Sequence, residues 1–513
     1  MYSAISRIMA RQIAPSTASP ALKMSAVKPR RITGRMFSVQ ASLPRFPVAP
    51  LQQTLDKYLQ TLRPLLCEDF KTGVGPLLQT KLEERAQKHT NWLSDWWRQV
   101  AYLDVRESCV INSNPGVLFP KADFNDLQGQ LSQILPVEHL GKAPLCMMQY
   151  YQILSACRIP GVNTDDWVCF PPDQPNPPRH ITIVYNNNFF EVPVYDSENK
   201  PLNTTQLRAQ LEAVVSQGSS QGPPLGLFTM ENRENWARAY KNMCKDEVTK
   251  SSLESIQRSI VFVVGQDGVS GLNYEHTSAE GPPVIHLMDH CLEYINSGKD
   301  WEAAGNAVTP RLLTMNLSHD VENSLNLAKE NIDRMVQDLD LKVFTFEEFG
   351  KNFPKSQRVS PDSFIQSAIQ LAYYRHHRKP VGSYESGSIR MFQLGRTETI
   401  RSCSSSSLEF TQAMLDPSQS NQKRAELLRR AINSHKQYTN DVPAKSESVL
   451  FFGPVCPDGY GFCYNPQEKR ILFGISSFKS NDVTLPAAQM CELVADSLRD
   501  MRQVMESSVK SSL

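Results

Sequence analysis

Nowhere in these 513 residues does an apolar run approach the roughly 18 that a membrane-crossing helix needs. A chain without a transmembrane segment is therefore expected. An excess of either charge is missing too. Lys plus Arg number 54 and Asp plus Glu 53, leaving a net charge of +1, so no global field gathers nucleic acid or acidic lipid. Among eleven cysteines there is no CxxC pair, which argues against a structural zinc site or a disulfide framework and for reduced, mostly buried thiols of an intracellular protein. His286 and His290 in HLMDH have the i,i+4 spacing of a metal pair, but no HExxH pattern or third ligand accompanies them. They read as ordinary residues of a partly exposed helix, and no metal is expected.

Acidic residues are absent from the start of the chain until Asp56. Residues 1–40 carry Arg7, Arg11, Lys23, Lys28, Arg30, Arg31 and Arg35 among small, hydroxylated and apolar residues. That is the composition of a mitochondrial transit peptide; a basic tail is the alternative. The terminal Ser-Ser-Leu only approximates a peroxisomal Ser-Lys-Leu address, and a peroxisomal pool stays open.

What is present is apolar material for a large core: 40% of the residues are hydrophobic. Leu51, Leu55, Leu59, Leu62 and Leu66 follow helical spacing, and a second helical zone spans about 76–100. PPDQPNPP at 171–178 reads as a surface loop. HITIVYNNNFFEVPVYD reads as two strands joined by an asparagine turn, since Asn tolerates the left-handed backbone. RSIVFVVGQDGVSGLNYEH reads as a second such pair, turning at Gln266-Asp267-Gly268. VLFFGPVCPDGYGFCYNPQEKRILFGISSF reads as a three-strand meander. Amphipathic helices are expected near 203–216, 324–338, 361–376 and 421–437. Strands and helices do not alternate strictly, so the fold class is mixed α/β, with helices on one face of each sheet.

Three segments carry chemistry. In YEHTSAEGPP, His276 stands where a strand gives way to a helix opened by proline. Glu275 and Glu280 are near enough to orient the ring or tune its pKa, as a general base requires; a structural histidine is the plainer reading. In GKNFPKSQRVSPDSF, Ser360 is a good N-cap with Pro361 and Asp362 behind it. Lys351, Lys355 and Arg358 precede that cap, with Pro354 expected to hold their loop extended. A cationic loop at a helix start can take phosphate, or it can be a solvated basic loop. In SYESGSIRMFQLGRTETIR, Tyr384, Ser386, Ser388 and Thr397 offer hydroxyls that can bind a carboxylate or alcohol, or satisfy strand edges.

Together these segments resemble the carnitine/choline acyltransferase family. The resemblance covers nearly all of residues 43–505 and rests on LPRFPVAPLQQTL, NYEHTSAEGPP, FGKNFPKS, SYESGSIRMF…GRTETIR and FFGPVCPDGYGFCYNP, in family order. It implies two chloramphenicol-acetyltransferase-like domains, 86–318 and 319–513, around a central tunnel, with a helical segment at 41–85 packing on the second. It implies His276 as catalytic base and Glu280 as the acid that orients it. Lys351, Lys355 and Asp362 match CoA contacts, as does Lys436, where the family has an arginine. Tyr384, Ser386 and Thr397 match carnitine contacts. Thr397 is the carnitine-type residue where choline-specific members are apolar. Leu450 matches the bulky side chain that restricts the acyl pocket to acetyl and other short chains. CoA and acetyl-CoA would be substrates, with L-carnitine as acceptor and no permanently bound cofactor. A monomer is implied, with peripheral inner-membrane association left open.

The same resemblance implies that segments are missing. The gaps fall between SIQRSI and VFVVGQDG, at YTND/VPAK, near Glu68–Gly73 and near Gln130–Val137. The YTND/VPAK gap removes an arginine that pairs with carnitine's carboxylate and a Ser-Thr-Ser segment that holds the oxyanion. Reduced activity, exposed sheet edges and lower stability are expected. Two other readings stand beside the enzyme: a non-catalytic CoA-binding or partner-binding remnant, and a choline-specific acyltransferase.

Overall fold

In the computed structural model the described residues are 35–65, 83–118, 137–169, 179–198, 200–256, 260–266, 269–297, 308–436 and 449–510. The basic leader up to residue 34, the loop at 171–178, the Asp267-Gly268 turn, the YTND/VPAK junction and the stretches at 68–73 and 130–136 lie outside them, whereas the SIQRSI/VFVVGQDG junction falls inside the described strand Ile260–Val264.

Among the described residues six small sheets are interleaved with helices, the mixed α/β architecture expected from strand and helix patterns that do not alternate strictly. The expected helices form at Leu51–Leu62, Thr204–Gln217, His319–Asp338, Pro361–His377 and Asn421–Lys436. Asn203 and Gln206 close a reciprocal capping box at the start of the second of these. The strands His180–Tyr185 and Asn188–Pro193 pair antiparallel. Asn186 and Asn187 turn between them at φ of 48° and 62°, the left-handed pair that such a two-residue turn requires.

The largest apolar core gathers Pro361–His377, Asn421–Lys436 and Ala487–Lys510 over the hairpin Gly461–Pro466/Ile471–Phe478, with Phe364, Leu428, Phe473, Met490 and Leu498 fully buried. A second core lies where Gly281–Ser297 packs through Val284, Leu287 and Met288 on Val117, Leu272 and Tyr274. All ten described cysteines are free thiols.

The meander does not form as read. Gly461–Pro466 and Ile471–Phe478 pair with each other, and Ile471–Phe478 also pairs with Leu339–Phe346. Val449–Phe451 leaves them and pairs with Gly116–Leu118, in a sheet ordered Val449–Phe451, Gly116–Leu118, Ser270–Tyr274, Ile260–Val264. The chain is diverted at Phe452-Gly453: Ser476 Oγ donates to Phe452 O at 2.6 Å and Gly453 N donates to Ile111 O. A Cβ at Gly453 would lie 2.4 Å from Ile111 O, so the crossing needs glycine. A strand from 319–513 thereby joins the sheet that leads into His276.

Candidate active site

His276 follows the strand Ser270–Tyr274 and precedes the helix Gly281–Ser297. Its ring is sandwiched by Tyr102, with centroids 4.9 Å apart, and Tyr274, at 5.7 Å. Tyr102 reaches it from a wide-turn helix, Gln99–Leu103, in which Asp104 N donates to Gln99 O. Such π-turns rotate a side chain out of ordinary helical register. Glu280 Oε2 lies 3.7 Å from His276 Nε2. Nδ1 is buried with no hydrogen-bond partner from another residue.

Arg396 holds this junction together. Its Nε donates to Glu280 Oε1 at 2.7 Å and its Nη2 to His276 O at 2.6 Å, while Nη1 donates to Thr277 O. Gln149 adds a second tie: its Oε1 accepts from Glu280 N at 2.8 Å and its Nε2 donates to Gly395 O at 3.0 Å. Gly395 is itself forced, because a Cβ there would stand 1.8 Å from Ile389 O. The second carboxylate is spent elsewhere. Glu275 pairs with Arg158 at 3.1 Å and accepts from Thr277 Oγ1 at 2.7 Å. Arg158 in turn pairs with the buried Asp165, which Arg233 and Arg106 also contact.

Burial lowers the pKa of His276, with Glu280 raising it and Arg396 lowering it. The depressed pKa keeps the ring neutral at neutral pH, the state a proton acceptor needs. Burial also raises Tyr102, Tyr274 and Tyr384, with Glu280's charge adding to each. Their phenols stay protonated and can donate. Among the described residues Tyr274 Oη is buried without a hydrogen-bond partner, and the buried Thr397 Oγ1 has no neighbour but the Tyr384 phenol to bond, so the site holds polar groups with capacity left for a ligand.

Thr397 pairs with Ser388, and Ser386 with Thr399, in the two-stranded ladder Glu385–Ser388/Thr397–Ile400. Tyr384 precedes it, accepts from Ser386 Oγ at 3.3 Å and stacks on Trp97. Tyr384, Thr397 and Arg396 therefore come together with Glu280 and His276. Leu450 pairs with Val117 and packs beside the second core. A Cβ on Gly281 would meet both Leu450 Cδ2 and Tyr274 Oη at 3.6 Å, which puts Leu450 at the first turn after Glu280.

Lys351 and Lys355 are not on an extended loop. Pro354 lies inside a short helix, Asn352–Ser356, at a position whose N–H would be unpaired anyway, so the two lysines stand one turn apart. Ser360 caps the next helix as read, accepting from Ser363 N. Arg429 Nη1 ties the helix carrying Lys436 to Gln357 O at 2.9 Å. Asp362 is less a surface charge than one of a cluster: its ligand atom and those of Glu385 and His435 lie within 4.8 Å of one another. Tyr464 donates to Asp362, His435 Nε2 sits 2.8 Å from Glu385 Oε1, and its Nδ1 lies 2.9 Å from Ser363 Oγ. This cluster bridges the lysine-side helix to the strand next to Tyr384 and Ser386.

Arg396, Gln149, Tyr102 and His435 were not singled out from the sequence. Arg396 stands inside a quoted motif, GRTETIR, and its place there was the available signal. The other three carry none.

A model of the choline/carnitine O-acyltransferase family matches residues 46–264, 258–444 and 439–494, and the chain belongs to that family. Its breaks at 258–264 and 439–444 coincide with two of the expected gaps. The carnitine O-acetyltransferase of Rattus norvegicus is 39% identical over 609 aligned positions, covering 94% of this chain and 96% of the relative; that of Homo sapiens is 38% identical over the same shares. The choline O-acetyltransferase of Rattus norvegicus is 31% identical over 599, covering 91% and 93%. More positions are aligned than this chain has residues, so the relatives carry internal stretches that it lacks.

Proposed function

We propose that the chain transfers acetyl and other short acyl groups reversibly between CoA and the hydroxyl of L-carnitine. The observation that carries this is the neutral, largely enclosed ring of His276, its side chain 18% exposed and its loop clamped through Glu280 and Arg396. His276 takes the proton from carnitine's hydroxyl as that oxygen attacks the thioester carbonyl. It returns the proton to the departing CoA thiolate, and the reverse reaction retraces these steps. General-base help of this kind is worth about 10²–10⁴-fold. No acyl-enzyme is needed, and burial pushes Cys403 up to about 11 and Cys291 to about 12, away from nucleophilic use.

Lys351, Lys355 and Lys436 serve CoA, with Asp362 between them and the ladder. Tyr384, Ser386 and Thr397 serve carnitine, and Leu450 limits acyl length. The Thr397 hydroxyl can donate to a carboxylate and so favours carnitine, which carries one, over choline, which does not. The leader composition supports a mitochondrial destination.

A second reading has its own support. The break in the family match at 439–444 falls where the resemblance puts carnitine's arginine partner and the oxyanion hydroxyl, which favours a CoA-binding remnant. Thiol release from acetyl-CoA with L-carnitine, with choline or with neither separates the readings, with His276→Ala as control. Carnitine-dependent release abolished by H276A supports the enzyme. CoA binding without release supports the remnant, and choline-dependent release the third reading.

A further inference from the structure

The strand Ile260–Val264 ends the sheet that carries Ser270–Tyr274 to His276, and among the described residues nothing pairs with its outer side. The side chains at 261–264 are bare on both faces. Val261 and Val263 are 55% and 56% exposed, and Phe262 and Val264 are 46% and 63%. The register makes that unusual. Phe262 and Val264 lie opposite the buried Leu272 and Ser270, on the face that should be core, yet the helix Gly281–Ser297 covers only the inner strands. At the other edge Ser476 Oγ bonds Phe452 O, just past the end of Val449–Phe451.

Folded proteins protect such an edge with lysine, proline, a bulge or a covering element. This strand has none of the first three, and the break in the family match falls on it. A contiguous, uncharged apolar edge of this kind marks an interaction surface.

We infer that Ile260–Val264 pairs antiparallel with the same strand of a second copy, making a two-fold dimer with one continuous sheet. The occupant follows from the segment itself. IVFVV is nearly a palindrome, so a two-fold axis at Phe262 sets Val261 opposite Val263 and Ile260 opposite Val264. Every facing pair is then apolar and mostly β-branched, the pairing that strands favour, and no like charges meet. An axis normal to the sheet keeps both core faces on one side, so on that face Phe262 meets its own copy and each Val264 faces the position of Ile260 in the other chain. Such an interface is closed and uses the same patch twice. It replaces the monomer expected from the sequence, and it does not depend on the chain's being a working acyltransferase.

Light scattering during size exclusion of the full chain at about 50 µM tests it. The expected mass is twice the 57.9 kDa of one chain, falling to one chain in Val261→Lys/Val263→Lys, whose two side chains point to solvent. Circular dichroism checks that the variant folds. If it does not, hydrogen exchange on the wild type decides: amides of 260–264 should exchange at least about tenfold more slowly at 50 µM than at 0.5 µM. A wild-type monomer at 50 µM, a dimer that survives both lysines, open-ended aggregates, or exchange independent of concentration would each overturn the inference.

Discussion

Arg396 grips Glu280 at 2.7 Å, and with its other terminal nitrogens it holds the main-chain carbonyls of His276 and Thr277. One buried guanidinium thus sets both the acid beside the imidazole and the loop that carries it. Lysine has one ammonium in place of a planar fork and cannot hold all three acceptors. Arg396→Lys should lower kcat by about 10²-fold with a smaller effect on KM, since position rather than binding is lost. Steady-state kinetics with acetyl-CoA and carnitine checks this; a change confined to KM would refute it.

The pH profile gives a signed test. His276 is depressed chiefly by burial, raised by Glu280 and lowered by Arg396. The acid limb of kcat/KM should therefore lie below the ordinary imidazole value of about 6.5. Glu280→Gln should move it further down and Arg396→Gln should move it up. Opposite or absent shifts would show that another group titrates. The same depression means that the unfolded chain binds the proton more readily. Its stability contribution is complete above about 6.5 and is lost as pH falls through the folded value.

His435 behaves in the reverse sense. Burial lowers its pKa, but Glu385 and Asp362 outweigh this and the net shift is upward. Its contribution is fully present below about 6.5 and is lost as pH rises through the folded value. Glu385→Gln should therefore cost about 1.5–3 kcal/mol near pH 6 and less at high pH. Denaturant melts at several pH values measure it; a cost independent of pH would remove the charged pair from the account.

Gly395→Ala should destabilise by about 2 kcal/mol or more, because the new methyl meets the Ile389 carbonyl within the turn that aims Arg396. An unchanged melting temperature would count against the turn as drawn.

Leu450→Gly should raise octanoyl-CoA turnover relative to acetyl-CoA by about tenfold or more, by opening space beside Gly281 and Tyr274. A ratio unchanged in competition assays would place the acyl chain elsewhere.

Local patterns were legible wherever one segment decides its own conformation. The Asn186-Asn187 turn, the Ser360 cap and the amphipathic helices each depend on residues within a turn or two of one another. Pro354 misled because a proline suits the first turn of a helix as well as an extended loop. The meander failed because Val449–Phe451 has the apolar pattern of any buried strand, and its partner Gly116–Leu118 lies more than 300 residues away.

By itself the sequence determined the family, the strand-to-helix junction at His276, the hydroxyl-rich ladder and the places where segments are missing, since each is written in contiguous residues. Tertiary structure alone decided which of the two nearby glutamates serves the imidazole, because Arg158 and Arg396 come from distant parts of the chain and claim one apiece. It also decided which edge is exposed, leaving Ile260–Val264 without a neighbour among the described residues, since a strand's cover is a matter of what packs against it.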